Sequence, residues 1–332
     1  LKTEIMMNEF FESIPPQTLE KSIGIDLEIK SQNCLAAVSD VLSKTVLSGG
    51  KRLRPMLTFL MADFFNCHDN NDVTACARAI EMVHAASLAH DDVIDGATQR
   101  RGNPSINVEA SNKKAVLAGD YLLADVILSL SELGSIKVLQ EMSRVIQELA
   151  IGEWVQSDAL ESRIYSKEII EEIAFHKTAS VMGWCCWSAA FIGSKDDKLA
   201  AMAQRFGHLI GIAFQMIDDT LDFSDGESLK DAHLDLEANL VNSVVYDYLA
   251  SNPTKMADYK ASKNLVDIVE LDKIQASVVN LKNEAQALIE EAQDRLHEIR
   301  EILIERGHDE ERLATTIRPL ELIGDFILKR QV

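Results

Sequence analysis

The clearest pattern along the chain is an apolar repeat of three and four. Over Leu281–Arg306, the residues Leu281, Ala285, Leu288, Ala292, Leu296, Ile299 and Leu303 fall on one side, with Glu, Lys, Arg and Gln between them. That spacing predicts a long amphipathic helix, and Gly307 supplies its stop. The same period predicts helices over Leu35–Leu47, Ala75–Asp95, Ala115–Leu130, Ile136–Val155, Ser166–Ile192 and Leu199–Phe223. Strand-like alternation is nowhere sustained. Proline occurs only at 15, 16, 55, 104, 253 and 319, so long stretches are free of helix breakers. Loops are predicted at Cys67–Asn71, Gly96–Asn112, Ser157–Tyr165, Ser194–Asp197, Ser224–Leu240 and Ser251–Lys263. None is long or simple enough to mark a linker, and no solenoid-type period appears. The expectation is an all-α protein, many helices around one core, in a single domain over residues 1–332.

Composition removes several function classes. With 47% apolar residues in 332, the chain buries a sizeable core and is not disordered. Lys+Arg 33 against Asp+Glu 53 leaves a net charge of −20, which repels phosphate backbones and argues against nucleic acid as a general partner. The longest apolar run, Val181–Gly193, is too short for a bilayer, which needs about 20 residues. Cys34, Cys67, Cys76, Cys185 and Cys186 are scattered and odd in number, unlike a disulfide framework or a zinc site. They predict a reducing compartment, the cytoplasm by default. The chain begins at Leu1, so an organelle leader trimmed beforehand is the alternative.

One short segment occurs twice. Leu88-Ala-His-Asp91-Asp92-Val-Ile-Asp95 resembles Gln215-Met-Ile-Asp218-Asp219-Thr-Leu-Asp222, each Asp-Asp-x-x-Asp near the end of an apolar-periodic run. On a helix, residues i and i+4 share a face, so Asp91 pairs with Asp95 and Asp218 with Asp222. Carboxylates that close raise one another's pKa and call for a cation. Hard oxygen ligands in this arrangement suit Mg²⁺, which also takes substrate phosphate oxygens. A single cluster could equally be a solvated acidic helix end. Composition alone yields only roughly 0.15 such patterns in a chain of this size, so two are informative.

Basic residues are notable where they gather in so acidic a chain. Gly49-Gly50-Lys51-Arg52-Leu53-Arg54-Pro55 forms one group, and Arg100-Arg101-Gly102 follows the first aspartate cluster. Arg forks and Lys point charges hold phosphates, so these groups beside Mg²⁺-binding carboxylates suit a ligand set with two diphosphates. The alternatives are a solvated loop for Lys51–Arg54 and ion pairing with the nearby aspartates for Arg100 and Arg101. His84 lies seven residues before Asp91, on the same face. It is either a core histidine or a diphosphate contact. Lys177, after His176, either snorkels or turns inward.

Taken together, these pieces resemble the trans-isoprenyl diphosphate synthases, or polyprenyl synthetases. The matching stretches are Gly50–Pro55, Glu81-Met-Val-His84, Leu88–Asp95, Arg100–Gly102, Gly119-Asp120-Tyr121-Leu122, Gly152-Glu153, Lys177-Thr178-Ala179, Phe214-Gln215 and Asp218–Asp222, with weaker similarity over Leu320–Arg330. The resemblance implies an isoprenoid-synthase-like helical bundle around a central cavity, working as a homodimer. It implies a transferase in which the six aspartates of the clusters and Lys177 are catalytic. Asp91, Asp95 and Asp218 would bind about three Mg²⁺. Arg100, Lys177, Thr178, Gln215 and Lys230 would hold the allylic diphosphate, and Lys51, Arg54, His84 and Arg101 the isopentenyl diphosphate. The implied reaction is ionisation of the allylic C–O bond, attack by the isopentenyl double bond and loss of a proton. In such proteins a bulky aromatic four or five residues before the first aspartate limits the product. Here Ala86 and Ser87 are small, which implies a long product, roughly C30–C50 at about one helical turn per C5 unit. Two rivals stand beside this reading. A terpene cyclase would not need the second diphosphate site. A non-catalytic or slow helical subunit would modulate another synthase. One stretch departs from the family pattern: over Leu229–Val244, Lys230, Asp235 and Leu236 remain, but the usual glycines, second lysine, threonine and proline do not.

Overall fold

The computed structural model describes residues 9–29, 36–100, 102–223 and 236–330. Arg101, Lys230 and the first part of the divergent stretch, residues 229–235, lie outside the described residues. Among the described residues helices dominate, and the β structure is a two-residue pair, Gln99–Arg100 with Asn103–Pro104. The repeats of three and four therefore produce an all-α fold. No described helix is long and apolar enough to cross a membrane. No disulfide joins Cys67, Cys76, Cys185 and Cys186.

The long amphipathic repeat forms the Gln275–Glu305 helix, which buries Leu281, Ala285, Ile289, Ala292, Leu296, Ile299 and Leu303. Each fully buried Leu or Ile contributes about 1.5–3 kcal/mol. Ile289 takes the position expected for Leu288 because of its neighbour. Gly324, on the Glu310–Leu328 helix, has no side chain where Ile289 Cγ2 sits, and a Cβ there would come within 2.2 Å. The helix ends at Gly307, whose φ is +86°. The Gly307 N–H donates to the Ile304 carbonyl at 2.8 Å and the His308 N–H to the Leu303 carbonyl at 3.0 Å. These paired bonds form a Schellman cap.

Four differences from the sequence expectation have physical causes. The Ile136–Ser162 helix runs through Ser157–Ser162, expected as loop, because nothing there breaks a helix and Ala159 is buried. Pro253–Lys260 is helical because proline is well placed at a first helical position. The run expected as one helix from Ser166 divides into Lys167–Ala174, a π turn over Phe175–Ala179, and Ser180–Ser194. The Leu53–Phe64 helix gave no periodic signal because Pro55 to Phe64 are all buried, leaving no polar face.

The chain divides into two compact units. One gathers Pro15–Ile146 and Trp184–Ala200; the other gathers the described parts of Leu1–Ile14, Gln147–Gly183 and Ala201–Val332. In the first, the helices Leu53–Phe64, Asn71–Ile94 and Asn112–Ser131 pack together. In the second, the Gln275–Glu305 helix packs on Glu310–Leu328 and Ser243–Ser251, and Phe10 stacks on Phe326 at 4.8 Å. The first aspartate cluster belongs to the first unit and the second cluster to the second.

Candidate active site

Each aspartate cluster straddles the C-terminal end of a helix. The first helix starts where the Asn70 side chain accepts the Asp72 N–H at 2.8 Å. It closes with Asp91 and Asp92 in its last turn and Asp95 as the capping residue. That last turn carries no basic residue. The carboxylates therefore add to the negative end of the helix dipole, at a cost of about 0.3–1 kcal/mol each. Such a site attracts cations.

The three carboxylates of the first cluster differ in exposure. Asp92 is fully buried. Arg100 brings its Nε to 2.7 Å and its Nη2 to 2.6 Å from Asp92 Oδ1, and Asn107 Nδ2 donates to the Asp92 carbonyl at 2.9 Å. The tight hairpin after the helix, with Gly102 at φ +77°, delivers that arginine. Arg100 is thus ion-paired with a neighbouring aspartate, one of its two readings. Asp91 is half-buried and Asp95 exposed.

Upstream, the basic loop is built on left-handed backbone at Gly49 (φ +66°), Gly50 (φ +87°) and Arg52 (φ +50°). Arg52 is held there by two bonds, Nη1 to Glu81 Oε1 at 2.7 Å and Nη2 to the Leu47 carbonyl at 2.7 Å. Arg52 and buried Glu81 thus fix the loop on the first aspartate helix, a part the sequence reading did not assign. Lys51 is exposed, and Arg54 and His84 are half-buried. Ala86 is fully buried; Ser87 is half-buried and donates to the His84 carbonyl at 2.9 Å. Gly119 leaves room for a ring: a Cβ on it would lie 2.2 Å from His90 Nε2.

The second cluster repeats the arrangement on the Asp197–Leu221 helix, whose last turn is also without a basic residue. Its middle member, Asp219, is buried and engaged by the scaffold. Asp219 Oδ2 accepts from the Ser243 N–H at 2.9 Å and Ser243 Oγ at 2.6 Å, and Oδ1 accepts from Gln215 Nε2 at 2.8 Å. Burial pushes its carboxyl up, opposed by the bonds from Ser243 and Gln215. The outer members remain more accessible. Asp218, with a side chain 47% exposed, accepts from Arg330 Nη2 at 2.8 Å. Asp222, half-buried, accepts from Asn242 Nδ2 at 3.3 Å. Asn242 also caps the Ser243–Ser251 helix, so the divergent stretch ends on residues that bond to both Asp219 and Asp222.

Lys177 and Thr178 ride on the π turn, where the Ser180 N–H reaches back five residues to the Phe175 carbonyl. Turns of this kind often mark functional sites. Lys177 Nζ donates to Glu153 Oε2 at 2.5 Å and to Gln156 Oε1 at 2.9 Å. Thr178 Oγ1 donates to Gln215 Oε1 at 2.7 Å, joining the turn to Asp219 through one glutamine. Glu153, Gln156, Ser243 and Arg330 were not singled out from the sequence. Glu153 and Arg330 stood only within matching stretches, Gly152-Glu153 and the weaker Leu320–Arg330.

The donor set fits a hard divalent cation. Among the described residues, no three or more His, Cys, Asp or Glu side chains are grouped so as to hold a metal ion by themselves. Mg²⁺ is typically held by one or two carboxylates with waters and substrate phosphates, not by an all-protein cage.

The polyprenyl synthetase family model matches residues 36–278. The human all-trans-polyprenyl-diphosphate synthase PDSS1 is 41% identical over 181 residues, covering 53% of this chain and 44% of that protein. The decaprenyl-diphosphate synthase of Dictyostelium discoideum is 32% identical over 273 residues, covering 78% of this chain and 59% of that protein. The chain thus spans about half the length of these curated relatives. The crystal structure of heptaprenyl diphosphate synthase from Staphylococcus aureus superposes with a TM-score of 0.77 at 24% identity, covering 98% of this chain and 99% of that one, a likeness of fold.

Proposed function

The chain belongs to the polyprenyl synthetase family, and on that premise we propose that it condenses isopentenyl diphosphate with an allylic diphosphate to build a long all-trans polyprenyl diphosphate. One observation carries the reading: both clusters bury and lock their middle aspartate while leaving the outer ones more accessible at a helix end without basic residues.

Asp91, Asp95 and Asp218 are the carboxylates that would hold Mg²⁺, about three ions in all. Bound there, the metal supplies charge for the departing diphosphate. Lys177 and Thr178 face the allylic diphosphate, with Gln215 fixing Thr178 and Lys230 and Arg100 as further cationic candidates. Lys51, Arg54, His84 and Arg101 take the isopentenyl diphosphate. The allylic C–O bond breaks, the isopentenyl double bond supplies the electron pair for the new C–C bond, and the proton leaves to the released diphosphate. Asp92 and Asp219 each fix the helix end that carries them. Small Ala86 and Ser87 leave the product free to grow beyond about C20 at about one helical turn per C5 unit.

The homodimer belongs to the same proposal. It is supported by apolar side chains left exposed on the Asn112–Ser131 helix (Val116, Leu117, Leu128) and by an apolar groove lined by Leu123, Ala124, Ile127, Leu128, Ser143 and Ile146. The cytoplasm is the proposed compartment, in keeping with Cys67, Cys76, Cys185 and Cys186 carrying no disulfide.

The test is to give the purified chain, alone, labelled isopentenyl diphosphate, an allylic primer and Mg²⁺, and to read product length by chromatography. Long labelled products support the proposal. No turnover alone, with stimulation of a second synthase on mixing, identifies a modulating subunit instead.

A further inference from the structure

Resting on the prenyl-transfer reading above, we propose that Glu153 is a positioning residue that acts through Lys177. Glu153 and Gln156 stand three residues apart on the Ile136–Ser162 helix, so their side chains share a face. Both accept from the same ammonium, at 2.5 Å and 2.9 Å. A lysine carries four rotatable bonds, and an unheld Nζ samples many positions. Two fixed acceptors collapse that distribution to one.

The donor count gives the arrangement its purpose. An ammonium has three N–H donors and no acceptor. Glu153 and Gln156 take two, which leaves one for a ligand oxygen. The pair is partly desolvated, with side chains 29% exposed at Lys177 and 21% at Glu153, so the contact is not a loose surface ion pair. The backbone is fixed as well. A Cβ on Gly152 would lie 2.7 Å from Lys177 Cγ and 2.8 Å from His176 Cβ, so the π turn sits directly on the helix at that glycine. On the other side of the turn, Thr178 is tied to Gln215. Lys177 is thus held at its backbone, at its neighbour and at its tip.

The charge balance selects which kinetic constant responds. Glu153 neutralises Lys177 before any ligand arrives, so the pair adds little general attraction for anions. The aimed N–H gains strength as negative charge builds on the departing oxygen. Such a contact raises kcat more than it lowers KM.

The experiment is a double-mutant cycle on the full chain with Glu153→Ala, Lys177→Ala and the double variant, with Glu153→Gln as the conservative control. Thermal melting checks that each variant is folded. Expected for Glu153→Ala is a kcat lower by roughly 10–100-fold, the scale of a misplaced catalytic group, with little change in the allylic KM. Glu153→Gln, which keeps an acceptor, recovers most of it. The double variant is no slower than Lys177→Ala alone. Losses that multiply, or a Glu153→Ala variant with normal kcat, overturn the inference. If the wild-type chain turns nothing over, the prenyl-transfer reading fails by itself. The same four proteins titrated with inorganic diphosphate and Mg²⁺ then decide this inference. Weakening by Glu153→Ala only while Lys177 is present supports it, and equal weakening in the Lys177→Ala background overturns it.

Discussion

Arg330 donates from Nη2 to Asp218 Oδ1 at 2.8 Å, so the end of the chain supplies the counter-charge that the helix end at Asp218 lacks. The guanidinium lies over the Phe214 ring, 4.3 Å from its centroid, and is only 17% exposed. A divalent cation on Asp218 competes with this arginine for the same oxygen. Arg330→Gln is therefore expected to tighten Mg²⁺ binding by about 3–10-fold, the scale of a partly exposed ion pair. Calorimetric titration checks it; unchanged or weaker binding would show that Arg330 and the metal do not compete.

His208 gives the fold an acid limit. Its ring meets Phe175, the first residue of the π turn, edge to face at 4.9 Å. A Cβ on Gly183 would lie 2.2 Å from His208 Cδ2, so the pocket is tight. Burial, with some help from Arg205, pushes the imidazole down from 6.5 to about 4. Between those values the unfolded chain takes a proton that the folded chain refuses. Stability therefore falls as pH falls through that window, by at most about 3 kcal/mol. Urea unfolding at several pH values checks this. His208→Asn should flatten the slope between pH 6.5 and 4, and an unchanged slope would show that other groups set it.

Much of this was legible in the sequence, and the exceptions have a common form. The Gln275–Glu305 seam and the Gly307 stop were readable because one polar face and one glycine encode them. The aspartate clusters were readable because two copies of a rare pattern stood out. The partition within each cluster was not. Asp92 is buried against Arg100, which depends on a hairpin that returns eight residues later. Asp219 finds Ser243 and Asp218 finds Arg330 across 24 and 112 residues. The π turn was invisible because inserting one residue into a helix leaves the apolar composition unchanged.

Gly152→Ala tests the seat of that turn. The added methyl must push Lys177 and His176 away by several tenths of an ångström, since it would start at 2.7 and 2.8 Å. Overpacking of this kind costs about 1–3 kcal/mol. The expected outcome is a folded protein with a modestly lower melting temperature and a disproportionate loss of kcat. Full activity would mean that the turn tolerates displacement.

Product length tests the small residues before the first cluster. Ser87→Phe and Ala86→Phe are expected to shorten the product, with activity kept, when products are separated by chromatography. Ala86 is fully buried, so its replacement also carries about 1–3 kcal/mol of overpacking. Half-buried Ser87 gives the cleaner reading. Active variants with unchanged product length would show that these positions only pack helices.

The central claim is that the outer aspartates hold the metal on which turnover depends. The most direct measurement is the Mg²⁺ dependence of isopentenyl transfer by the wild-type chain beside Asp91→Ala and Asp218→Ala. Both variants are expected to fold, because removing like charge from a helix end relieves repulsion. Turnover is expected to fall by orders of magnitude, and added Mg²⁺ not to restore it. Near-normal turnover of either variant at saturating Mg²⁺ would contradict the claim.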